Sequence, residues 1–271
     1  KTAMHYGDYV ITEAGFGSDL GAEKFLNIKC RYAGITPKAS VLVVTSQSLK
    51  LHGGVDEKLI KQANLKGIQN GVKNLQRHLE NLQNFGQSVV IAFNRFGFDT
   101  SEEIDYIQNW CKDKGAEFAL NDGFAKGGEG AIELAKKVVE VIDNKPSTTI
   151  QYSYDLRDSV EEKLTKIVTK VYKGKGIALN KTALTMLKKI KELGLDDLPV
   201  CIAKTQYSFS DDASKVGIEE GFILKIENLV INSGAGFIVA VAGEIMRMPG
   251  LPKTPQAMSI DVVNDQIIGL S

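Results

Sequence analysis

The residues with the clearest chemical spacing are Gly15-Phe16-Gly17-Ser18-Asp19-Leu20-Gly21, a GxGxxxG loop between a β-rich run, Tyr9 to Thr12, and a helix-like stretch. In that setting successive backbone N–H groups and the positive end of a helix cradle a phosphate. A dinucleotide fingerprint also requires an acidic residue about 20 positions further on, where Lys29, Cys30 and Arg31 stand instead. A nicotinamide site is therefore the weaker reading, and a tight glycine turn is the alternative. A Walker loop, GxxxxGK followed by Ser or Thr, occurs nowhere in the chain. Lys126-Gly127-Gly128-Glu129-Gly130 directly precedes a helical stripe starting at Ile132. Its amides and the helix dipole favour an anion, a phosphate or a polyglutamate tail; otherwise it is a flexible helix entry with a solvated lysine. Phe96 and Phe124 each lie just past the C-terminal end of an expected parallel strand, where open α/β sheets bind ligands. Two such rings clamp a flat heterocycle by stacking, at roughly 0.5–1.5 kcal/mol per contact beyond area burial, or else they are ordinary core residues.

The remaining candidates carry less. His5, His52 and His78 are far apart and form no triad spacing with Ser or Cys; only His52, in Lys50-Leu51-His52-Gly53-Gly54, has a glycine-rich setting. Asp211, Asp212 and Glu244 have the chemistry for a cation, although adjacent acids in a polar turn are usually solvated. Cys30, Cys111 and Cys201 are odd in number and widely spaced, with no CxxC pair. They read as reduced thiols of a cytoplasmic protein, and no metal site is expected.

The elements that must position these residues alternate. Ser40 to Thr45 and Ser88 to Phe93 are near-continuous apolar runs of the buried parallel-strand kind. Val72, Leu75, Leu79 and Leu82 between them give one apolar helix face ending near Asn84. Thr100 or Ser101 caps the next helix, with Glu102 and Glu103 in its first turn, and Gly115 is its C′ residue. Ala116 to Leu120 is a further short strand, and Ile132, Ala135, Val138 and Ile142 stripe the helix after it. This β-α-β-α order predicts a parallel sheet with right-handed crossovers. After a helix from about Asp158 to Tyr172, a turn at Lys173 to Gly176 and a helix carrying Leu184, Leu187 and Ile190, the pattern changes. Leu198 to Ala203, Phe222 to Ile231, Gly236 to Ala242 and Asp265 to Gly269 read as strands, so the last third is α+β.

With 33 basic and 33 acidic residues the 271-residue chain has no net charge, and its lysine groups alternate with apolar residues along helices. Those groups are solvated helix faces, not a nucleic-acid stripe. The longest uncharged stretch, Asn228 to Gly243, is broken by Asn232, Ser233, Gly234 and Gly236, short of the roughly 18–20 apolar residues a membrane span needs. The length suits two compact domains, or one plus pieces of another. The start at Lys1, with neither an initiator Met nor a signal-peptide core, reads as the middle of a longer protein.

Several segments together resemble formate-tetrahydrofolate ligase: Thr12 to Phe25, Ile28 to Tyr32, Leu49 to Gly54, Asn94-Arg95-Phe96, Ala125 to Gly130, Lys204 to Asp212 and Met248 to Pro252. The resemblance runs from Lys1 to Ser271 and implies the C-terminal half of such a ligase. It implies an α/β fold: a parallel-sheet remnant of the P-loop ligase domain (1–78), a Rossmann-like α/β folate-binding domain (79–172) and a smaller α+β domain (173–271). The implied activity makes formyl phosphate from formate and ATP, with Mg2+ and a monovalent cation, and passes the formyl group to N10 of tetrahydrofolate. The implied assembly is a homotetramer. Carried over by position, the pterin is sandwiched by Phe96 and Phe124, with Leu120 lining the slot. Phe16 lies on the folate side of the loop, and Gly15, Gly17, Asp19 and Gly21 on its nucleotide side. Many members carry Trp where Phe124 stands; Gln47 replaces a usual arginine, and Arg247 a frequent threonine. A chain without the phosphate-binding N-terminal half is expected to be inactive alone, and a non-catalytic folate-binding or assembly module is the alternative.

Overall fold

The computed structural model describes residues 1–243, 245, 253–263 and 266–268, and its architecture is α/β. Three strands, β1 (Ser40–Val44), β2 (Val89–Asn94) and β3 (Glu117–Asn121), form a parallel sheet in the order β1-β2-β3. Val44 is in register with Phe93, and Phe93 with Leu120. Parallel neighbours need crossovers, supplied by α3 (Ser46–His52) and α4 (Leu65–Asn84) after β1 and by α5 (Ser101–Asp113) after β2. Before them lie only the short helices α1 (Thr2–Tyr6) and α2 (Arg31–Ala33), the latter preceded by π-helical turns at Ser18–Ala22 and Phe25–Cys30.

Local chemistry starts each crossover. Thr45 and Ser48 form a capping box on α3, Asn64 accepts from Gly67 N–H at the start of α4, and Thr100 and Glu103 form the box on α5. Ile68, Val72, Leu75, Leu79 and Leu82 of α4 are then buried with Val44, Ile91, Phe93 and Ile107 in one core. Each such side chain contributes about 1.5–3 kcal/mol by leaving water. The α3–α4 contact is close enough that a Cβ on Gly71 would sit 1.9 Å from the Leu49 carbonyl oxygen. After β3 the chain makes α6 (Gly123–Lys126), a 3-10 turn at Gly127–Ala131 and α7 (Ile132–Asn144), which covers the sheet's other face over Val90 and Ala119.

The second sheet is mixed. β6 (Ile223–Asn232) and β7 (Phe237–Ala242) pair antiparallel, and β4 (Gly176–Leu179) and β5 (Val200–Ala203) flank them in parallel, in the order β4-β6-β7-β5. Its core draws on α8 (Val160–Ile167), the π-helical turn Val168–Tyr172 and α9 (Lys181–Glu192), and it also takes Leu26 and Cys30 from the N-terminal turns. Residue 78 lies inside α4 and residue 172 at the end of the turn after α8.

Three sequence expectations differ. Tyr9 to Thr12 forms no strand, because among the described residues nothing lies beside it to complete a hydrogen-bond ladder. β4 was not foreseen: it begins at Gly176, the last residue of the expected turn, and its four residues carry little pattern until pairing with β6 makes them a strand. β8 (Asp261–Val263) was not foreseen; it pairs with β9 (Gln266–Ile268), inside the expected 265–269 strand, whose residues 265 and 269 lie outside the described residues. No helix among the described residues is long and apolar enough to cross a membrane.

Candidate functional site

β2 and β3 end together, Asn94 beside Asn121, with the Asn121 amide donating to Asn94 Oδ1 at 2.7 Å. Directly beyond, the rings of Phe96 and Phe124 lie 5.4 Å apart at 54°, and Phe98 stacks on Phe96 at 5.6 Å and 3°. Phe96 N–H donates to Asp99 Oδ2 at 2.8 Å, and the Ser46 hydroxyl donates to Asp99 Oδ1, so the start of α3 anchors this turn. Phe124 sits on the one-turn helix α6 and is 85% exposed. Between the rings' backbones Asp122 bridges Arg95 Nε at 3.2 Å and Lys126 Nζ at 2.8 Å. The hydrogen bond from Lys126 first, then the charge of Arg95, holds its carboxyl below the ordinary value. Leu120 points into the sheet core beside Phe93. A flat ring between two others needs their planes about 7 Å apart, twice an optimal carbon contact. The aromatic corner is therefore closed, with its exposed member on the shortest of elements.

Phe16 and Gly17 begin the second group. Phe16 has φ 63° and is 76% exposed, a left-handed conformation that costs a non-glycine residue of order 1–3 kcal/mol. A Cβ on Gly21 would meet the Gly15 carbonyl oxygen at 1.9 Å, so the loop closes on itself only through glycine. Gly17 precedes the π-helical turn, its carbonyl accepting from Leu20 and Gly21 N–H at 3.1 and 3.0 Å. π-turns of this kind recur at functional sites.

Asp19 leads to Lys204 and His78, which sequence reasoning passed over, and to His52, which it singled out. The fully buried Lys204 ammonium donates to Asp19 Oδ2 at 2.7 Å, to the Thr205 carbonyl at 3.1 Å and to the Ser208 carbonyl, and lies 5.0 Å from the Tyr172 ring. Burial pushes the Asp19 carboxyl up, but the positive groups around it, Lys204 first by its charge and its hydrogen bond, together outweigh burial and bring the group below its ordinary value. Burial likewise lowers Lys204, opposed by Asp19. His78 Nδ1 accepts from Ser18 N–H at 3.2 Å and lies 2.9 Å from Ser18 Oγ. That lone pair requires a neutral imidazole, in agreement with the depression of its pKa by burial. His78 Nδ1 and Asp19 Oδ1, 3.9 Å apart, are accordingly not an ion pair. His52 Nδ1 accepts from Gly217 N–H at 3.3 Å. With Asp19, Asn74, Gln206 and Phe209, the two histidines line a polar cavity of about 130 Å3, room for a few waters or a small polar group.

The other candidates are spoken for locally. Lys126 is engaged by Asp122, and Gly127 and Gly128 open the 3-10 turn into α7. Asp212 Oδ1 accepts from Ser214 N–H and Oγ at 2.9 and 2.7 Å. Glu244, Arg247 and Met248 to Pro252 lie outside the described residues. No hydrogen bond, ion pair or ring contact among the described residues joins the aromatic corner to the Asp19 group.

The family model for formate-tetrahydrofolate ligase matches residues 1–271. This chain belongs to the formate-tetrahydrofolate ligase family. It is similar to the formate-tetrahydrofolate ligase of Parabacteroides distasonis, at 55% identity over all of this chain and 49% of that protein. Relatives of the same name in Phocaeicola vulgatus and Campylobacter curvus are 54% and 51% identical, again over all of this chain and 49% and 50% of theirs. The chain thus spans about half the length of the curated ligases it matches. The one signal that could have found Lys204 in this ligase-family chain was its place in the segment Lys204 to Asp212; its partner Asp19 lies 185 positions away, beyond any spacing rule.

Proposed function

We propose that the chain supplies the folate site of an ATP-dependent ligase that forms 10-formyltetrahydrofolate from formate and tetrahydrofolate through formyl phosphate. The observation that carries this is the meeting of Phe96 and Phe124 at the ends of adjacent parallel strands, in a chain matched along its whole length by the ligase family. Their separation must widen from 5.4 Å to about 7 Å to admit a pterin. Moving the four-residue α6, which carries the exposed Phe124, is the cheap way to do so. Phe16, strained and facing solvent, is the further ring offered to the folate, whereas Leu120, packed in the core, supports the strand end from within.

Gly15, Gly17, Asp19 and Gly21 form the nucleotide-side loop in this reading, and Gly127 and Gly128 with Lys126 a second anion contact. The phosphoryl chemistry of ATP falls to the half of the ligase length not spanned here. Among the described residues no group of three His, Cys, Asp or Glu is placed to hold a metal ion. We propose the cytoplasm as the compartment, which three unpaired cysteines support, and a homo-oligomeric assembly. The relatives' names favour a ligase over a non-catalytic folate-binding or assembly module.

Titrating the chain with tetrahydrofolate tests the reading. Phe96→Ala and Phe124→Ala are each expected to weaken binding by about tenfold, the worth of one stacking contact near 1.4 kcal/mol. Affinity untouched by both substitutions would remove the folate assignment.

A further inference from the structure

The polar cavity beside the glycine loop is lined by hydrogen-bonding groups that the fold leaves over in a definite pattern. His52 at the end of α3 and His78 on α4 each accept at Nδ1 from a backbone N–H, of Gly217 at 3.3 Å and of Ser18 at 3.2 Å. A neutral imidazole carries one proton, so in both rings it sits on Nε2. Neither Nε2–H has a partner among the described residues. Asn74, one turn before His78 on α4, is only 7% exposed, and its side-chain amide makes no hydrogen bond among the described residues. An amide so far out of water costs free energy until a partner reaches it. Asp19 Oδ2 is taken by Lys204, whereas Oδ1 accepts no hydrogen bond among the described residues. The cavity thus offers two imidazole donors, an amide that donates and accepts, and one carboxylate acceptor.

That inventory selects the chemistry of the occupant. Lys204 balances the charge of Asp19 at 2.7 Å, both imidazoles are kept uncharged by burial, and Arg77, beside His78 in the chain, is paired with Glu220. An anion would meet the Asp19 carboxylate, and a cation would meet two N–H groups with the Lys204 ammonium behind them. A hydroxyl suits both kinds of wall, because it donates to a carboxylate and accepts from an N–H at once. Two adjacent hydroxyls match one carboxylate and the donors around it, as where an acid holds a ribose. A dinucleotide site brings that acid from about 20 positions downstream; here Asp19 stands inside the glycine loop itself. Gly17 shapes the wall, since a Cβ there would stand 2.6 Å from both Asp19 Oδ1 and His78 Cε1. The volume of about 130 Å3 is well below the roughly 300 Å3 of a pocket for a whole drug-sized ligand, so one polar group of a larger molecule enters.

We infer that this cavity is a binding subsite for a vicinal diol, such as the ribose of a nucleotide, with Asp19 Oδ1 accepting from the hydroxyls and His52, His78 and Asn74 donating to their oxygens. A nucleotide is favoured as the source because Gly17 and Asp19 belong to the loop assigned to the nucleotide side, and the inference rests on that reading.

The test titrates the 271-residue chain with adenosine, with ribose, and with the dideoxy analogue of adenosine, which lacks both adjacent hydroxyls. Adenosine is expected to bind, and its analogue to bind about tenfold more weakly, since it leaves the buried donors and the carboxylate unpaired. Asn74→Ala and His52→Ala are each expected to weaken adenosine binding about fivefold, the worth of one hydrogen bond, with tetrahydrofolate affinity unchanged. Equal affinity for adenosine and its analogue, or folded variants that bind adenosine like the parent, would overturn the inference. The parent's own ring nitrogens give a check that no variant can spoil. Nitrogen NMR is expected to show both protons on Nε2 and both signals moving as adenosine is added; a proton on Nδ1 of either ring, or signals that stay still, is an equal contradiction. Ribose bound as tightly as adenosine keeps the diol and removes the nucleotide as its source. Tetrahydrofolate binding without adenosine binding sinks the subsite and leaves the folate reading standing, and adenosine held through His52 and Asn74 without tetrahydrofolate binding does the reverse.

Discussion

Two aspartate–lysine pairs, Asp122–Lys126 and Asp19–Lys204, have nearly the same length, 2.8 and 2.7 Å, and opposite surroundings. The first lies at the aromatic corner, where the Lys126 side chain is 60% exposed and water screens the attraction. The second is sealed between the glycine loop and the segment after β5, with the lysine fully buried. There the partners are held together less by mutual attraction than by the cost of separating them, since either alone would be an unpaired charge in a poorly solvated interior. The pair at the corner stands in water, whereas the pair at the loop is pinned out of it. Distance alone would have ranked the two pairs equal.

The largest effect that would break this contrast is at Lys204. Lys204→Met strands Asp19 and is expected to cost about 3–5 kcal/mol in chemical denaturation, most of it recovered in Asp19→Asn/Lys204→Met. A single variant unfolding like the parent would show that the buried pair pins nothing. Next comes acid. The unfolded His78 imidazole titrates near its ordinary 6.5 and the folded one lower, because burial dominates over Asp19. Between the two values the unfolded chain binds the extra proton, so stability falls as pH drops below 6.5, and the loss is complete beneath the folded value. His78→Gln is expected to flatten unfolding midpoints between pH 7 and pH 5, whereas an unchanged slope would assign the acid loss elsewhere, to His52 first.

Smaller effects belong to the exposed corner. Phe124→Trp is expected to tighten tetrahydrofolate binding a few-fold through added stacking area and to leave the unfolding midpoint alone. Weaker binding would mean that the corner is already filled. Lys126→Gln should barely move thermal unfolding at any salt concentration; a clear drop would mean that the corner is as rigid as the loop.

The parallel sheet and its crossovers were legible because their signals are local. Apolar runs at 40–45 and 88–93, the α4 stripe, and the Thr100–Glu103 box each carry their own free energy within one turn or one strand. The aromatic corner was half legible: chain order puts Phe96 and Phe124 past two strand ends, but only strand pairing in register brings the rings to 5.4 Å. Tertiary contacts alone decided the rest. β4 is a strand because β6 lies beside it, and Tyr9 to Thr12, with the better strand sequence, is none because a ladder needs a second row of partners. Lys204 became a clamp only when folding moved it across 185 positions to Asp19 and out of water. Periodicity and capping act over a few residues, whereas burial and charge pairing are properties of places that exist only once distant segments have met.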